Sequence, residues 1–334
     1  MRPSFDRVLE KIPRYNLAQY PTPLIQAERL RNEIGGPDIW FKRDDLISFA
    51  MGGNKVRGLE VILQDALNAG ADTLVTGAGV QSNHVRATAA VAAYKKLDCI
   101  AIYWGHEPGP VDGNYRVTKM LGAQVRFTGD PDRSSVDHFI NEVADELKER
   151  GKLPYPIPRG GACAMGALGH VIAVRELQLQ CEQYGIEPDA VVFPLGSGGT
   201  YAGWLLGLRL LGLDWQVECF TVSRAADEVS RQVAVLATEA ASLLDTDISF
   251  TSADAPVHGG FIGEGYGIPS TEGTAAIRTT GRSAGLLLDP TYTGKAMAGY
   301  LDGLARGIFG RYKTVIFIHT GGEPAFFAGA GEWL

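Results

Sequence analysis

Apolar, β-branched runs alternate with segments of helical periodicity along most of the chain. Short strands are predicted at Ile39–Lys42, Thr73–Thr76, Cys99–Trp104, Ala123–Phe127, Ala190–Phe193, Gln216–Val222 and Thr314–Ile318, with a strand end at Pro156–Pro158. Between them the periodicity predicts helices over Val56–Ala69, Ser82–Lys95, Tyr115–Leu121, Ser135–Glu149, Gly166–Tyr184 and Thr200–Leu211. Repeated strand–helix units pack as parallel sheets with helices on both faces, because a parallel return needs a crossover. The fold class is α/β. A Pro/Gly-rich stretch, Leu153–Gly161, is the best candidate for a crossover between two halves.

Composition narrows the function classes. At 334 residues the chain has room for two domains or one large one. Its net charge of −7 argues against sequence-independent binding of nucleic acid, which needs a basic footprint. No apolar run reaches the roughly 18 residues of a membrane span, and the N-terminal segment lacks the apolar core of a signal peptide. The expectation is a soluble, cytoplasmic protein. Cys99, Cys163, Cys181 and Cys219 are scattered without metal-ligand spacing, so they read as reduced thiols and no metal site is expected. Glycine is the outlier, with 42 residues clustered beside apolar runs, where about 7% of the chain is usual.

Three glycine clusters share one grammar of strand, turn and helix, which favours anions at the turn. Gly196-Ser197-Gly198-Gly199-Thr200 suits a phosphate monoester and lacks the lysine of a nucleotide-triphosphate loop. A tight turn without a ligand stays open on this segment alone. Gly77-Ala78-Gly79-Val80-Gln81-Ser82-Asn83-His84 carries more polar side chains than a helix cap requires, which points to a small carboxylate or a hydroxyl. It has Ser82 where a dinucleotide loop needs its third glycine, so a nucleotide-dependent oxidoreductase is disfavoured. Gly52-Gly53-Asn54-Lys55 sets a lysine behind a sheltered turn, either as a solvated charge or as a nucleophile of lowered pKa.

Taken in order, these motifs resemble those of fold-type-II pyridoxal-phosphate enzymes, in particular the D-cysteine desulfhydrase and 1-aminocyclopropane-1-carboxylate deaminase family. The similarity runs from Tyr20-Pro-Thr-Pro-Leu24 and Phe41-Lys-Arg-Asp-Asp45 through Gly166-Ala-Leu-Gly169 and Gly265-Tyr-Gly-Ile-Pro269 to Leu286–Met297 and Phe317–Gly322. The resemblance implies two open twisted parallel sheets flanked by helices, as in the tryptophan synthase β-subunit. Residues 1–47 and 163–334 would form a large cofactor-binding domain, and 48–162 a smaller inserted one. It implies pyridoxal 5'-phosphate as cofactor, a small amino acid as substrate and a homodimer. Lys55 would bond the cofactor aldehyde, Asn83 its phenolic oxygen, and Gly196, Ser197, Gly198, Gly199 and Thr200 its phosphate. Tyr292 would lie against the ring, with Thr293 and Thr320 also on the cofactor. Gln81, Ser82, His84, Cys163 and Tyr266 would face the substrate, with Lys55, Ser82 and Tyr292 catalytic. Lys42 and Lys295 are rival lysines better suited to surface or packing roles.

The deaminases of this family carry glutamate after the tyrosine, whereas this chain reads Tyr292-Thr293, which with His84 leans to the desulfhydrases. The implied reaction is β-elimination, most simply of D-cysteine to hydrogen sulfide, pyruvate and ammonia. An L-cysteate sulfo-lyase, a cyclopropane-opening deaminase and a non-catalytic cofactor-binding protein are the alternatives. Gly58, Ala87 and Cys163 depart from the desulfhydrase pattern, and the expectation places those changes on the substrate side.

Overall fold

The computed structural model describes residues 5–329. In chain order, α1 (Phe5–Glu10), β1 (Leu24–Gln26), α2 (Glu28–Ile34) and β2 (Asp38–Lys42) come first. Next are α3 (Lys55–Asn68), β3 (Thr73–Ala78), α4 (Asn83–Lys95), β4 (Asp98–Tyr103) and α5 (Gly113–Met120). Then follow β5 (Gln124–Phe127), α6 (Ser135–Glu149), β6 (Pro154–Pro156) and α7 (Ala164–Tyr184). The remainder is β7 (Ala190–Leu195), α8 (Gly199–Leu211), β8 (Gln216–Thr221), α9 (Ala226–Leu243), α10 (Thr271–Ala284), α11 (Thr293–Ala305), β9 (Thr314–Ile318) and α12 (Glu323–Phe326).

The strands form two sheets, ordered β1-β2-β9-β7-β8 and β5-β4-β3-β6. Every described pairing is parallel except β1 with β2. Alternation along each strand explains the helices on both faces. In β7, Val191, Phe193 and Leu195 join the core shared with α7, α8 and α9, while Ala190 and Val192 join the core under α10 and α11. In β3, Leu74 packs with residues of α3 and α4, and Val75 with residues of α6. The prolines of β6 sit on an edge strand, where a missing N–H is tolerated.

Helices α1, α2, α9, α10, α11 and α12 and strand β1 escape the sequence pattern. α10 carries four threonines and two glycines among its residues Thr271–Ala284, all weak helix formers. Its Ser270 cap, whose Oγ accepts the Gly273 N–H at 3.1 Å, and its packing against α11 hold it. The rival lysines are not surface groups: Lys42 and Lys295 are 1% and 0% exposed. Lys42 Nζ donates to Thr22 O at 2.7 Å, to Gln180 Oε1 at 2.6 Å and to Glu176. The four cysteines are unpaired.

Candidate active site

A cavity of about 460 Å³ opens where the carboxyl ends of the two sheets face each other. Strand-to-helix turns there present free N–H groups. Lys55 enters as the first residue of α3, on the turn Gly52-Gly53-Asn54. Gly53 has φ +62°, and a Cβ there would lie 2.4 Å from Thr320 O. Glycine therefore lets this turn press against the loop after β9, where the Asn54 N–H donates to Thr320 O at 3.0 Å. Lys55 Nζ lies 3.3 Å from the Gly160 carbonyl. Burial lowers its pKa to about 8, so roughly a fifth of the amine is neutral near physiological pH, far more than for a free lysine.

The turn after β3 brings in the polar run. Ser82 caps α4, its Oγ accepting the Val85 N–H at 3.3 Å, which leaves the hydroxyl proton to donate elsewhere. Asn83 Oδ1 accepts from Asn114 Nδ2 at 3.0 Å and Arg86 Nη2 at 3.2 Å, so its amide NH₂ is the end left for a ligand. Thr76 Oγ1 donates to Ile157 O at 3.1 Å, so it accepts from His84 Nε2 at 3.0 Å. His84 is then the Nε2–H tautomer with Nδ1 as an acceptor. Burial, then the charge of Lys55, drives its pKa down to about 3.

From the larger sheet, β7 runs into Gly196–Gly198 and the N-terminus of α8. Thr200 Oγ1 accepts from Asn54 Nδ2 at 3.1 Å, which ties this loop to the lysine turn. Tyr292 and Tyr266 join hydroxyls at 2.5 Å. Burial raises Tyr266 to about 12 and Tyr292 higher, so both stay protonated and one proton of the pair is free for a ligand. The turn before α11 is built on Asp289, whose carboxylate accepts the N–H groups of Thr291, Tyr292 and Thr293 at 2.9, 2.9 and 2.8 Å.

The cavity wall contains Lys55, Ser82, Asn83, His84, Gly196, Ser197, Gly198, Thr200, Tyr266, Tyr292 and Thr320. Gly199 lines a smaller void behind Lys55, beside His84 and His170. Gln81, Cys163 and Thr293, also predicted, line neither space. The Gln81 side chain is spent on Asp112 Oδ1 at 3.0 Å and the Asn114 N–H at 2.8 Å. Cys163 caps α7, its Sγ accepting the Gly166 N–H at 3.4 Å. Thr293 Oγ1 donates to Asp289 Oδ1 and accepts the Asp289 N–H, both at 2.7 Å.

A family profile described as "Pyridoxal-phosphate dependent enzyme" matches residues 15–321. The chain belongs to this family. A putative 1-aminocyclopropane-1-carboxylate deaminase of Pyrococcus abyssi is 39% identical over 334 residues, covering 100% of this chain and 99% of that protein. The D-cysteine desulfhydrase of Klebsiella pneumoniae is 40% identical over 325 residues, covering 96% and 97%. The crystal structure of an ACC deaminase homologue matches with TM-score 0.90 at 37% identity, covering 98% of this chain and 97% of that one. A fungal L-serine ammonia-lyase from Rhizomucor miehei, at TM-score 0.64 and 19% identity over 92% and 95%, shares the fold. The fold is that of type-II pyridoxal-phosphate enzymes, and the cofactor is pyridoxal phosphate.

The residues present fit this cofactor. The Gly196–Thr200 turn and the α8 N-terminus offer N–H donors to a phosphate. The free amide NH₂ of Asn83 suits a phenolic oxygen, and the low-pKa amine of Lys55 suits an aldehyde. A Cβ on Gly196 would lie 3.3 Å from the Tyr292 ring, so loop and ring close round one space.

The three departures do not reach the main cavity wall. Ala87 is buried with Leu59 and Ile62. A Cβ on Gly58 already lies 2.8 Å from the Gly166 carbonyl, so α3 and α7 approach too closely there for a basic side chain. Lys295, expected as surface or packing, ties down the tyrosine loop by donating to Ile262 O at 2.6 Å and Gly265 O at 2.9 Å. Sequence reasoning missed Asn54, Trp104, Arg133, Arg159 and Arg224 on the wall. For Arg224 a signal existed, since it follows the predicted strand ending at Val222, where ligands of parallel sheets gather.

Proposed function

We propose that this enzyme is a lyase that carries out β-elimination on a small β-substituted amino acid, with D-cysteine to hydrogen sulfide, pyruvate and ammonia as the reference reaction. The observation that carries the reading is the placement of the Lys55 amine, of pKa about 8, in one cavity with the Asn83 amide and the Tyr266–Tyr292 pair. Pyridoxal phosphate, when bound, supplies an electron sink for the charge that develops at Cα.

The chain's own groups do the rest. Ser82, with its hydroxyl proton uncommitted, and the N-terminus of α4 hold the substrate carboxylate. Lys55 Nζ takes the Cα proton, which a neutral amine can do and an ammonium cannot. The paired tyrosine hydroxyls supply a proton at the leaving group or hold the ring. Thr293, which stands where the deaminases carry glutamate, has its hydroxyl engaged by Asp289 as donor and acceptor and brings no carboxylate to pair with a protonated ring nitrogen. That lack of a carboxylate supports elimination of a good leaving group over the harder opening of a cyclopropane.

The reading extends to a cytoplasmic homodimer, supported by family resemblance and read by light scattering. Among the described residues no helix is long and apolar enough to cross a membrane.

The test is release of the 2-oxo acid: pyruvate from D-cysteine, L-cysteine, 3-chloro-D-alanine, D-serine and cysteate, and 2-oxobutyrate from aminocyclopropane carboxylate. Lys55→Ala should lower turnover by roughly three orders of magnitude or more. Borohydride reduction of the wild type should fix the cofactor's mass on the Lys55 peptide. Full activity in the alanine variant would overturn the reading.

A further inference from the structure

Three arginines line one side of the cavity: Arg133 between β5 and α6, Arg159 before the Gly160–Gly161 turn, and Arg224 after β8. Their side chains are 28%, 22% and 7% exposed. Among the described residues, their ion-pair partners are Asp137 and Glu228. Arg159 Nη2 lies 2.9 Å from Asp137, and Glu228 lies 3.3 Å from Arg224 and 3.8 Å from Arg133. Other contacts go to neutral acceptors: Arg133 to Ser223 O at 2.6 Å, and Arg224 to Gly196 O at 3.2 Å and to Gln232. A chain of net charge −7 therefore brings three guanidinium groups to a wall that carries Asp137, with Glu228 paired to Arg224 and Arg133 from outside the lining. Burial, then repulsion from Arg224 and Arg159, depresses Arg133 from its ordinary range, and an arriving anion would relieve that repulsion.

Two oxyanions could answer to this wall, the cofactor phosphate and a group on the substrate. The phosphate already has the N–H donors of Gly196–Thr200 and the α8 N-terminus. Arg133 and Arg159 come instead from the segments around the smaller sheet, and the charge of Arg133 bears on Tyr266, the tyrosine of the proton-donating pair. We infer that Arg133 and Arg159 form an oxyanion subsite for the β-substituent of the substrate, which favours amino acids carrying a sulfonate, sulfinate or phosphate on Cβ over a thiol. This inference rests on the β-elimination reading and orders substrates within it.

With a sulfonate, the Cα proton passes to Lys55 and the Cβ–S bond breaks with its electron pair left on sulfur. Sulfite departs beside the guanidinium groups. The 2-aminoacrylate released takes up water and yields pyruvate and ammonium. Cysteate and water thus give pyruvate, hydrogen sulfite and ammonium, with no oxidant or reductant. Planar guanidinium forks match the oxygens of such a leaving group.

The experiment compares holoenzymes of wild type, Arg159→Gln, Arg133→Gln and Arg159→Lys. Pyruvate release is followed with D- and L-cysteate, cysteine sulfinate, O-phosphoserine, cysteine and β-chloroalanine. Losing one charged hydrogen-bond donor should lower kcat/KM for the oxyanion substrates about 10- to 100-fold. β-Chloroalanine should change by less than about threefold, since its leaving group forms no charge-assisted bond of that kind before it departs. Arg159→Lys should recover part of the loss. Sulfate should bind the wild-type holoenzyme in calorimetry and compete with cysteate, and bind more weakly to Arg159→Gln. Equal losses for neutral and oxyanion substrates, or turnover of cysteine with none of cysteate, would overturn the inference. So would variants that keep the substrate preference but release pyridoxal phosphate, which would assign the arginines to the cofactor. Sulfate binding without pyruvate from any substrate would instead fail the elimination reading and leave the subsite standing.

Discussion

At the scale of single residues, Lys55 owes its chemistry to enclosure. Burial is the named cause of its lowered pKa of about 8, against about 10.4 for a free lysine side chain. The folded value lies below the free one, so the amine becomes nucleophilic as pH rises through about 8. In cofactor-free protein, labelling of Lys55 by an acylating reagent should be half-maximal near pH 8, read by peptide mass spectrometry against free lysine. A profile that tracks the free amino acid would mean the site is wetter than its walls imply. The Gly-Gly-Asn-Lys motif made this lysine legible in sequence, and the strand-and-glycine grammar did the same for the Gly196–Thr200 turn. Arg133 and Arg159 were illegible because their loops carry no pattern of their own; only the facing of the two sheets brings them to one wall.

At the scale of elements, α3 and α7 are pinned to β2 by a buried charge network. Arg57 donates to Asp44 Oδ1 at 2.7 Å and Oδ2 at 2.8 Å, and to Glu176 Oε2 at 2.9 Å and Oε1 at 3.0 Å, while Lys42 also donates to Glu176. Burial alone would raise Glu176, but Arg57 first and Lys42 next outweigh it, and the pKa falls to about 2. A glutamate depressed from about 4.3 contributes roughly 3 kcal/mol of stability, present above the unfolded value and lost as pH falls from about 5 towards 2. Glu176→Gln should cost about 3–5 kcal/mol at neutral pH, because buried Lys42 loses its main counter-charge and buried Arg57 loses one of its two, keeping Asp44. Denaturant titrations from pH 7 to 2.5 should show the two stability curves converging at the acid end. Parallel curves would show that Glu176 is not the titrating group. The sequence showed Phe41-Lys-Arg-Asp-Asp45 as a motif yet could not say that its lysine is a buried strut. A solvated lysine and a paired one look alike until the partner, 134 positions away, is seen.

At the scale of the molecule, the cavity belongs to neither sheet alone. Ser82 and Asn83 follow β3 of one sheet, while Gly196–Thr200 and Thr320 follow β7 and β9 of the other. All four strands of the smaller sheet fall within residues 48–162, which supports the proposed inserted domain. A cofactor held by both sets of residues would act as a bridge and would bind only the folded arrangement. At 100 to 1,000 times its dissociation constant, such a ligand adds about 3–4 kcal/mol. For a chain of this length that corresponds to a rise in Tm of roughly 4–6 °C. Stripping pyridoxal phosphate with an amine-capturing reagent and dialysis should lower Tm by that amount, and adding it back should restore it. Lys55→Ala should keep part of the shift, since the phosphate turn and Asn83 remain. An unchanged Tm on removal would mean that the cofactor adds nothing to the stability of the fold, and the bridging arrangement would have to be abandoned.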